Sequence, residues 1–161
     1  MSDFTVPEHL PDWISNHVRN YLASGGTEGH LWDSTPVGGP GLLPCLLLVT
    51  KGRRSGKKVT VPLIYGETGD GRYVIIASRG GTPTHPDWYF NLSAEPHVRL
   101  QVGTERFNAA ASTCDEGPER ETLWKMMAKI YPPYDAYQGM TERRIPVVVL
   151  KPEGAKEKVS H

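Results

Sequence analysis

The stretch LLPCLLLVTKGRRSGKKVTVPLIY, residues 42–65, holds two apolar runs around a turn that carries five cations and no acid. The runs Leu42 to Thr50 and Lys58 to Tyr65 have the composition of strands, and Gly52 and Gly56 permit a tight reversal between them. A hairpin is therefore expected. Further along, ETGDG supplies a turn before the strand-like RYVIIAS (72–78), and VRLQV (98–102) and RFNAAAST (106–113) flank a GTE turn as a second hairpin. RIPVVVL (144–150) is a continuous apolar run, the pattern of a strand buried on both faces. About six strands with few helices point to an α+β fold, a small closed or split β-barrel with peripheral helices.

Three segments read as helices. In PDWISNHVRNYLA (11–23), Pro11 suits the first turn, Ile14, Val18 and Leu22 recur at four-residue steps, and Gly25-Gly26 ends the pattern. This amphipathic helix is expected to lie on the barrel; membrane contact through it is the rival reading, which would want more cations on the polar face. PDWYFNLSAEP forms one short helix between Pro86 and Pro96. Pro118 to Ile130 has Leu123, Met127 and Ile130 on one face, acids in its first turn and lysines near its end. YPPYDAYQGM interrupts it.

The 161 residues fit one domain, expected as a helix and loop over 1–40, a barrel over 42–152 and a frayed tail over 153–161. Lys plus Arg and Asp plus Glu number 18 each, so no global field attracts nucleic acid, and any electrostatic function comes from local clustering. Cys45 and Cys114 have neither CxxC spacing nor a disulfide framework, which fits reduced thiols in a cytosolic protein. MSDFTVPEHLPDW lacks the cationic start and apolar core of a secretory signal. A cytoplasmic monomer or homodimer is expected.

KGRRSGKK is not a Walker loop. Lys51 stands where its first glycine belongs, Lys58 where Ser or Thr would hold magnesium, and a strand follows instead of a helix. What remains is a turn whose backbone donors and whose Arg53, Arg54, Lys57 and Lys58 can neutralise phosphate or carboxylate. ASRGG (77–81) adds small residues at a strand end, where a flat ring can approach the backbone, Ser78 and nearby amides can meet its polar edge, and Arg79 can reach a phosphate. In HPDWYFNL (85–92), core packing is the default for Trp88 and Phe90. Tyr131, Tyr134 and Tyr137 in YPPYDAYQ would form a cleft wall with hydroxyls, suited to a flat aromatic or quinone-like substrate and able to donate a proton. No HExxH, paired helical histidines or GxSxG occurs, so no metal site or serine-type acyl transfer is expected.

Taken in order, TKGRRSGKKVTVPLIY, VIIASRGGTPTHPDWYFNL, EPHVRLQV, YPPYDAYQ and TERRIPVVVL resemble the deazaflavin-dependent nitroreductases of actinobacteria from about Leu43 to Pro152; residues 1–40 match loosely. The resemblance implies a split barrel like that of flavin-binding pyridoxamine oxidases, adapted to coenzyme F-420, an 8-hydroxy-5-deazaflavin with a phosphate and a polyglutamate tail. It places Arg53, Arg54, Ser55, Lys57 and Lys58 on the phosphodiester and tail, and Pro62, Ala77, Ser78, Arg79 and Gly80 around the tricycle. Trp88 and Asn91 would lie at the coenzyme or support its loop, with Ile64, Tyr131, Tyr134 and Tyr137 on the substrate side. Ile64 stands where the family's prominent member has tyrosine, which changes pocket shape, and Arg79 replaces the usual lysine.

The activity so implied is hydride transfer from reduced F-420 to electron-poor conjugated acceptors such as quinones, enones or nitroaromatics. Tyr134 is the first candidate proton donor, with Tyr131 or Ser78 behind it. The alternatives are an FMN-dependent reductase on the same barrel and a non-catalytic deazaflavin-binding protein.

Overall fold

The computed structural model of the chain describes residues 3–7 and 10–159. In chain order its elements are α1 (Asp12–Ala23), β1 (Leu31–Asp33), β2 (Leu42–Lys51), β3 (Lys58–Ile64), β4 (Gly66–Glu67), β5 (Tyr73–Ile76), α2 (Asp87–Ala94), β6 (His97–Val102), β7 (Glu105–Cys114), α3 (Pro118–Ile130), α4 (Pro133–Gly139) and β8 (Val147–Lys158). Short 3-10 turns occupy Thr35–Val37 and Arg79–Gly81.

The expected hairpin forms between β2 and β3, in a register that runs from Cys45 opposite Ile64 to Lys51 opposite Lys58. The sheet is antiparallel and ordered β1-β2-β6-β7-β8-β5-β4, with β3 added on β2. It curls into the split barrel. Among the described residues eight strands replace the six expected from sequence, because β1 and β4 are too short to show a hydrophobic period.

β2 explains why the sheet closes. Its residues 45–50 are all buried, so it has no solvent face. Leu46 and Leu48 point into the barrel with Ile75, Leu100, Phe107, Val148 and Leu150, while Leu47 and Val49 pack outward against Phe4, Val18 and Tyr21. On the far wall, Val74, Ile76, Val147 and Val149 turn outward to meet Leu123 and Met127 of α3 and Tyr134 of α4. Each fully buried aliphatic of this kind contributes about 1.5–3 kcal/mol.

Two glycines fix where the helices sit. Gly26, with φ +91°, lies so close to the β6–β7 turn that a Cβ there would stand 1.7 Å from the Gly103 carbonyl oxygen. The Tyr21 hydroxyl then ties α1 down, donating to the Cys45 carbonyl at 2.9 Å and accepting from the Gly103 N–H at 2.8 Å. Gly81, with φ +80°, lets the 79–81 turn touch the α4 backbone, where a Cβ would stand 2.8 Å from the Tyr137 carbonyl oxygen.

The tail expected to fray from residue 153 instead continues as strand: β8 runs to Lys158, with Glu153 opposite Asn108 and Lys158 opposite Glu105. Its alternating charges hid a strand stabilised by main-chain pairing and by Lys156, whose ammonium donates to the Tyr73 hydroxyl at 3.1 Å and lies 4.8 Å from the Phe107 ring centre. Ser160 and His161 of that tail lie outside the described residues. Among the described residues no helix is long and apolar enough to cross a membrane.

Candidate functional site

A cavity of about 490 Å³ opens between the β2–β3 hairpin, the 78–80 turn, α4 and the N-terminal helix. Pro62 and Ile64 of β3, Ser78, Arg79 and Gly80, Trp88 of α2, and Tyr131, Tyr134 and Tyr137 all line it. Nine residues picked from sequence thus meet on one surface, mostly apolar, as ligand clefts are.

The tyrosines are not equivalent. Tyr131 and Tyr137 bond each other hydroxyl to hydroxyl at 2.9 Å. Tyr134, 4% exposed, has no hydrogen-bond partner for its hydroxyl among the described residues, and its ring packs edge-on against Tyr131 at 4.9 Å. Burial pushes the Tyr131 and Tyr134 hydroxyls well above the usual phenol range, so both stay protonated at neutral pH.

The cationic turn does not line this cavity. Its chain is folded by Gly52 N–H to the Lys57 carbonyl and Gly56 N–H to the Gly52 carbonyl, both at 2.8 Å, and the Ser55 hydroxyl accepts from the Lys57 N–H at 3.1 Å. Helix α2 joins turn to cavity. Asn91 accepts at Oδ1 from the Arg53 backbone N–H (3.2 Å) and Nη1 (3.0 Å), and its Nδ2 donates to Thr50 at 3.1 Å. Arg53 also lies 5.0 Å over the Phe90 ring and 3.6 Å from Asp87. One turn back on that helix, Trp88 faces the cavity and the core at once. Arg54, Lys57 and Lys58 are exposed and make no ion pair among the described residues. Lys58 lines a separate polar cleft with His97, Arg99 and Glu153, and Ala77 is buried behind the cavity wall.

Sequence reasoning missed the opposite wall. Trp13, Ile14 and His17 of α1 line the cavity together with Trp32 of β1. Trp13 stacks on Trp32 at 5.8 Å and 16°, His17 stacks on Trp32 at 6.3 Å and 15°, and His17 Nε2 is 2.7 Å from the Gly29 carbonyl oxygen. Trp13 and His17, four residues apart, share a helix face, and that spacing was the available signal. Nothing local marked Trp32. Cys45 also lines the cavity, and burial pushes its thiol up to about 12, so it is an inert, protonated wall.

Arg143 was missed as well. It reaches from the segment before β8 to the loop behind Ser78, and its Nη1 donates to His85 Nδ1 at 2.8 Å. Burial, and secondarily Arg143, lower the His85 pKa below the ordinary 6.5; burial lowers His30, whose Nε2 sits 2.6 Å from the Tyr65 hydroxyl. Both rings are held neutral. The unfolded chain takes up protons at these sites below about pH 6.5, so their stability is present above that pH and is lost as pH falls from there toward the lowered folded-state values. The melting temperature should therefore drop between about pH 7.5 and pH 5.5, before carboxylates titrate, and His85→Asn should flatten part of that slope. A flat wild-type profile would show that the rings are not held neutral.

Residues 13–152 match the protein family described as F420H(2)-dependent quinone reductase. The chain belongs to this family. An F420H(2)-dependent quinone reductase of Mycobacterium tuberculosis is 38% identical over 146 residues, covering 86% of this chain and 95% of that one. A solved F420-H2 dependent reductase, FDR-A, superposes with a TM-score of 0.62 at 45% identity over 67% of this chain and 94% of its own. A second solved structure, described as a domain-swapped dimer, gives 0.65 at 40% identity over 87% and 98%. For an F420H(2)-dependent quinone reductase family member, the split barrel is the scaffold on which the cavity, the cationic turn and α2 are assembled.

Proposed function

We propose that this chain is an oxidoreductase in which reduced coenzyme F-420 delivers a hydride to an electron-poor conjugated acceptor, a quinone, enone or nitroaromatic, inside the aromatic-walled cavity. The observation that carries the reading is the link through α2, which fixes the cationic turn at Asn91 and lines the cavity with Trp88. Arg54 and Lys57, exposed and without ion-pair partners among the described residues, fit an anionic tail beside Arg53, and apolar walls around Ser78, Arg79 and Gly80 fit a flat ring.

When bound, the coenzyme supplies the hydride. Arg53, Arg54 and Lys57 hold its phosphate and carboxylates, with Ser55 shaping the turn. Pro62, Ser78, Arg79 and Gly80 hold the ring. Ile64 and the Tyr131–Tyr137 pair orient the acceptor, and Trp13 and Trp32 exclude water from the other side. Tyr134 holds the proton that the reduced acceptor takes at oxygen.

Anaerobic mixing of the protein with reduced F-420 and a panel of quinones, enones and nitroaromatics tests this reading. Acceptor-dependent loss of the reduced coenzyme is the expected result; binding without turnover across the panel would leave only a carrier. Ile64→Tyr should narrow the cavity and lower kcat/KM for the bulkiest acceptor about ten-fold relative to the smallest. By likeness to the domain-swapped neighbour the chain forms a homodimer, which light scattering would register as twice its 17.8 kDa mass.

A further inference from the structure

Arg143 makes contacts that a mere surface cation does not need. Its Nε donates to the Thr82 carbonyl at 2.8 Å, Nη1 to the Ala77 carbonyl at 3.1 Å and to His85 Nδ1 at 2.8 Å, and Nη2 to the Ser78 carbonyl at 2.6 Å. One guanidinium thus gathers the strand end, the turn and the start of α2's approach. The turn it gathers is unusual: Arg79 has φ 46°, the only positive φ outside glycine among the described residues, followed by Gly80 at 65° and Gly81 at 80°. A non-glycine residue in the left-handed region persists where surrounding contacts over-determine it, commonly at functional sites.

The direction of the peptides gives these bonds a consequence. No peptide among the described residues is cis, and in a trans peptide the C=O and N–H point to opposite sides. With the Ala77 and Ser78 carbonyls locked on Arg143, the N–H groups of Ser78 and Arg79 are turned the other way. Neither has a hydrogen-bond partner among the described residues, while Ser78 and Arg79 both line the cavity.

We propose that Arg143 is a positioning residue: by pinning two successive peptide planes it aims the Ser78 and Arg79 amides into the cavity as a donor pair for the carbonyl-bearing edge of a flat heterocycle. The proposal rests on the reading that the cavity holds the deazaflavin ring. Two amides in that attitude form a small concave nest for partial negative charge, and because they are preset they need no reordering when the ring arrives. Lysine is no substitute. Its single ammonium cannot span carbonyls of residues 77, 78 and 82 in the plane that a guanidinium matches.

The test uses the full chain with Arg143→Lys and Arg143→Gln. Binding is titrated with coenzyme F-420 and, separately, with its deazaflavin chromophore lacking phosphate and tail, well below each variant's melting temperature. Both variants should lose about ten-fold or more affinity for the chromophore, with a smaller absorption-band shift on binding, and lysine should not rescue. The intact coenzyme should lose affinity by a similar factor from a tighter starting value, because the cationic turn still holds its tail. A merely structural role would weaken binding and leave the band shift of the bound fraction unchanged. Chromophore affinity within about two-fold of wild type in both variants, or an unchanged band shift of the bound fraction, would overturn the assignment. Failure of the wild-type protein to bind either ligand would instead sink the coenzyme reading itself.

Discussion

Replacing Arg53 and Arg54 together by alanine is expected to raise the coenzyme dissociation constant about a hundred-fold or more, since each charge-assisted hydrogen bond is worth about 1.5–3 kcal/mol. The loss should be specific to binding. The Arg54 residue is exposed and the Arg53 side chain is half-buried against Phe90, and the Asn91 amide oxygen that Arg53 Nη1 occupies keeps its bond to the Arg53 backbone N–H, which alanine retains. The ion pair with Asp87 spans 3.6 Å with that carboxylate 92% exposed, so its removal costs little stability. Salt dependence provides the second readout. Binding by the wild-type turn should weaken steeply between low and physiological ionic strength, and the double variant should show a shallower slope. Fluorescence titration at two salt concentrations measures both quantities; an unchanged dissociation constant would mean that the tail is held elsewhere, for example by Lys57 and Arg79 alone.

Why the turn and much of the cavity could be read from sequence, while Arg143 and Trp32 could not, follows from how each signal is encoded. The hairpin announces itself through contiguous residues: apolar runs, glycines and clustered cations lie within one short stretch. The tyrosines repeat at steps of three, a local period that α4 turns into one wall with Tyr134 and Tyr137, Tyr131 joining it from the junction with α3. Arg143 acts instead through carbonyl oxygens of residues 77, 78 and 82, and main-chain acceptors leave no trace in side-chain chemistry. Trp32 sits in a three-residue strand, too short for a hydrophobic period, and reaches the cavity only because β1 pairs with Leu42, Leu43 and Pro44. The end of β8 was misread for a related reason. Its charged side chains look like solvated tail, whereas the pairing that orders it is main-chain to main-chain with β7. Lys58 marks a limit of clustering as evidence: it belongs to the same cationic run, yet its place at the start of β3 puts it on another cleft.

Tyr134→Phe is the substitution that separates chemistry from binding. Its side chain is buried at the cavity wall, and its hydroxyl has no partner among the described residues and is held protonated far above neutral pH. Removing that oxygen orphans no other group, so the melting temperature should stay level or rise slightly and coenzyme affinity should hardly change. Turnover should fall about a hundred-fold, within the range for loss of a positioned proton donor. Tyr131→Phe offers the contrast, because the Tyr131 and Tyr137 hydroxyls satisfy each other at 2.9 Å; losing one frees the other and should cost less than the Tyr134 change. Ser78→Ala completes the comparison. Ser78 lines the cavity, but the Arg143 bond goes to its carbonyl, which alanine keeps. Single-turnover oxidation of the bound reduced coenzyme in heavy and light water measures the step directly. With Tyr134 as donor, the wild-type solvent isotope effect should disappear or change when phenylalanine leaves water to supply the proton. Equal turnover in the Tyr134 variant would remove it from the mechanism, and the largest loss would then identify Tyr131 or Ser78 in its place.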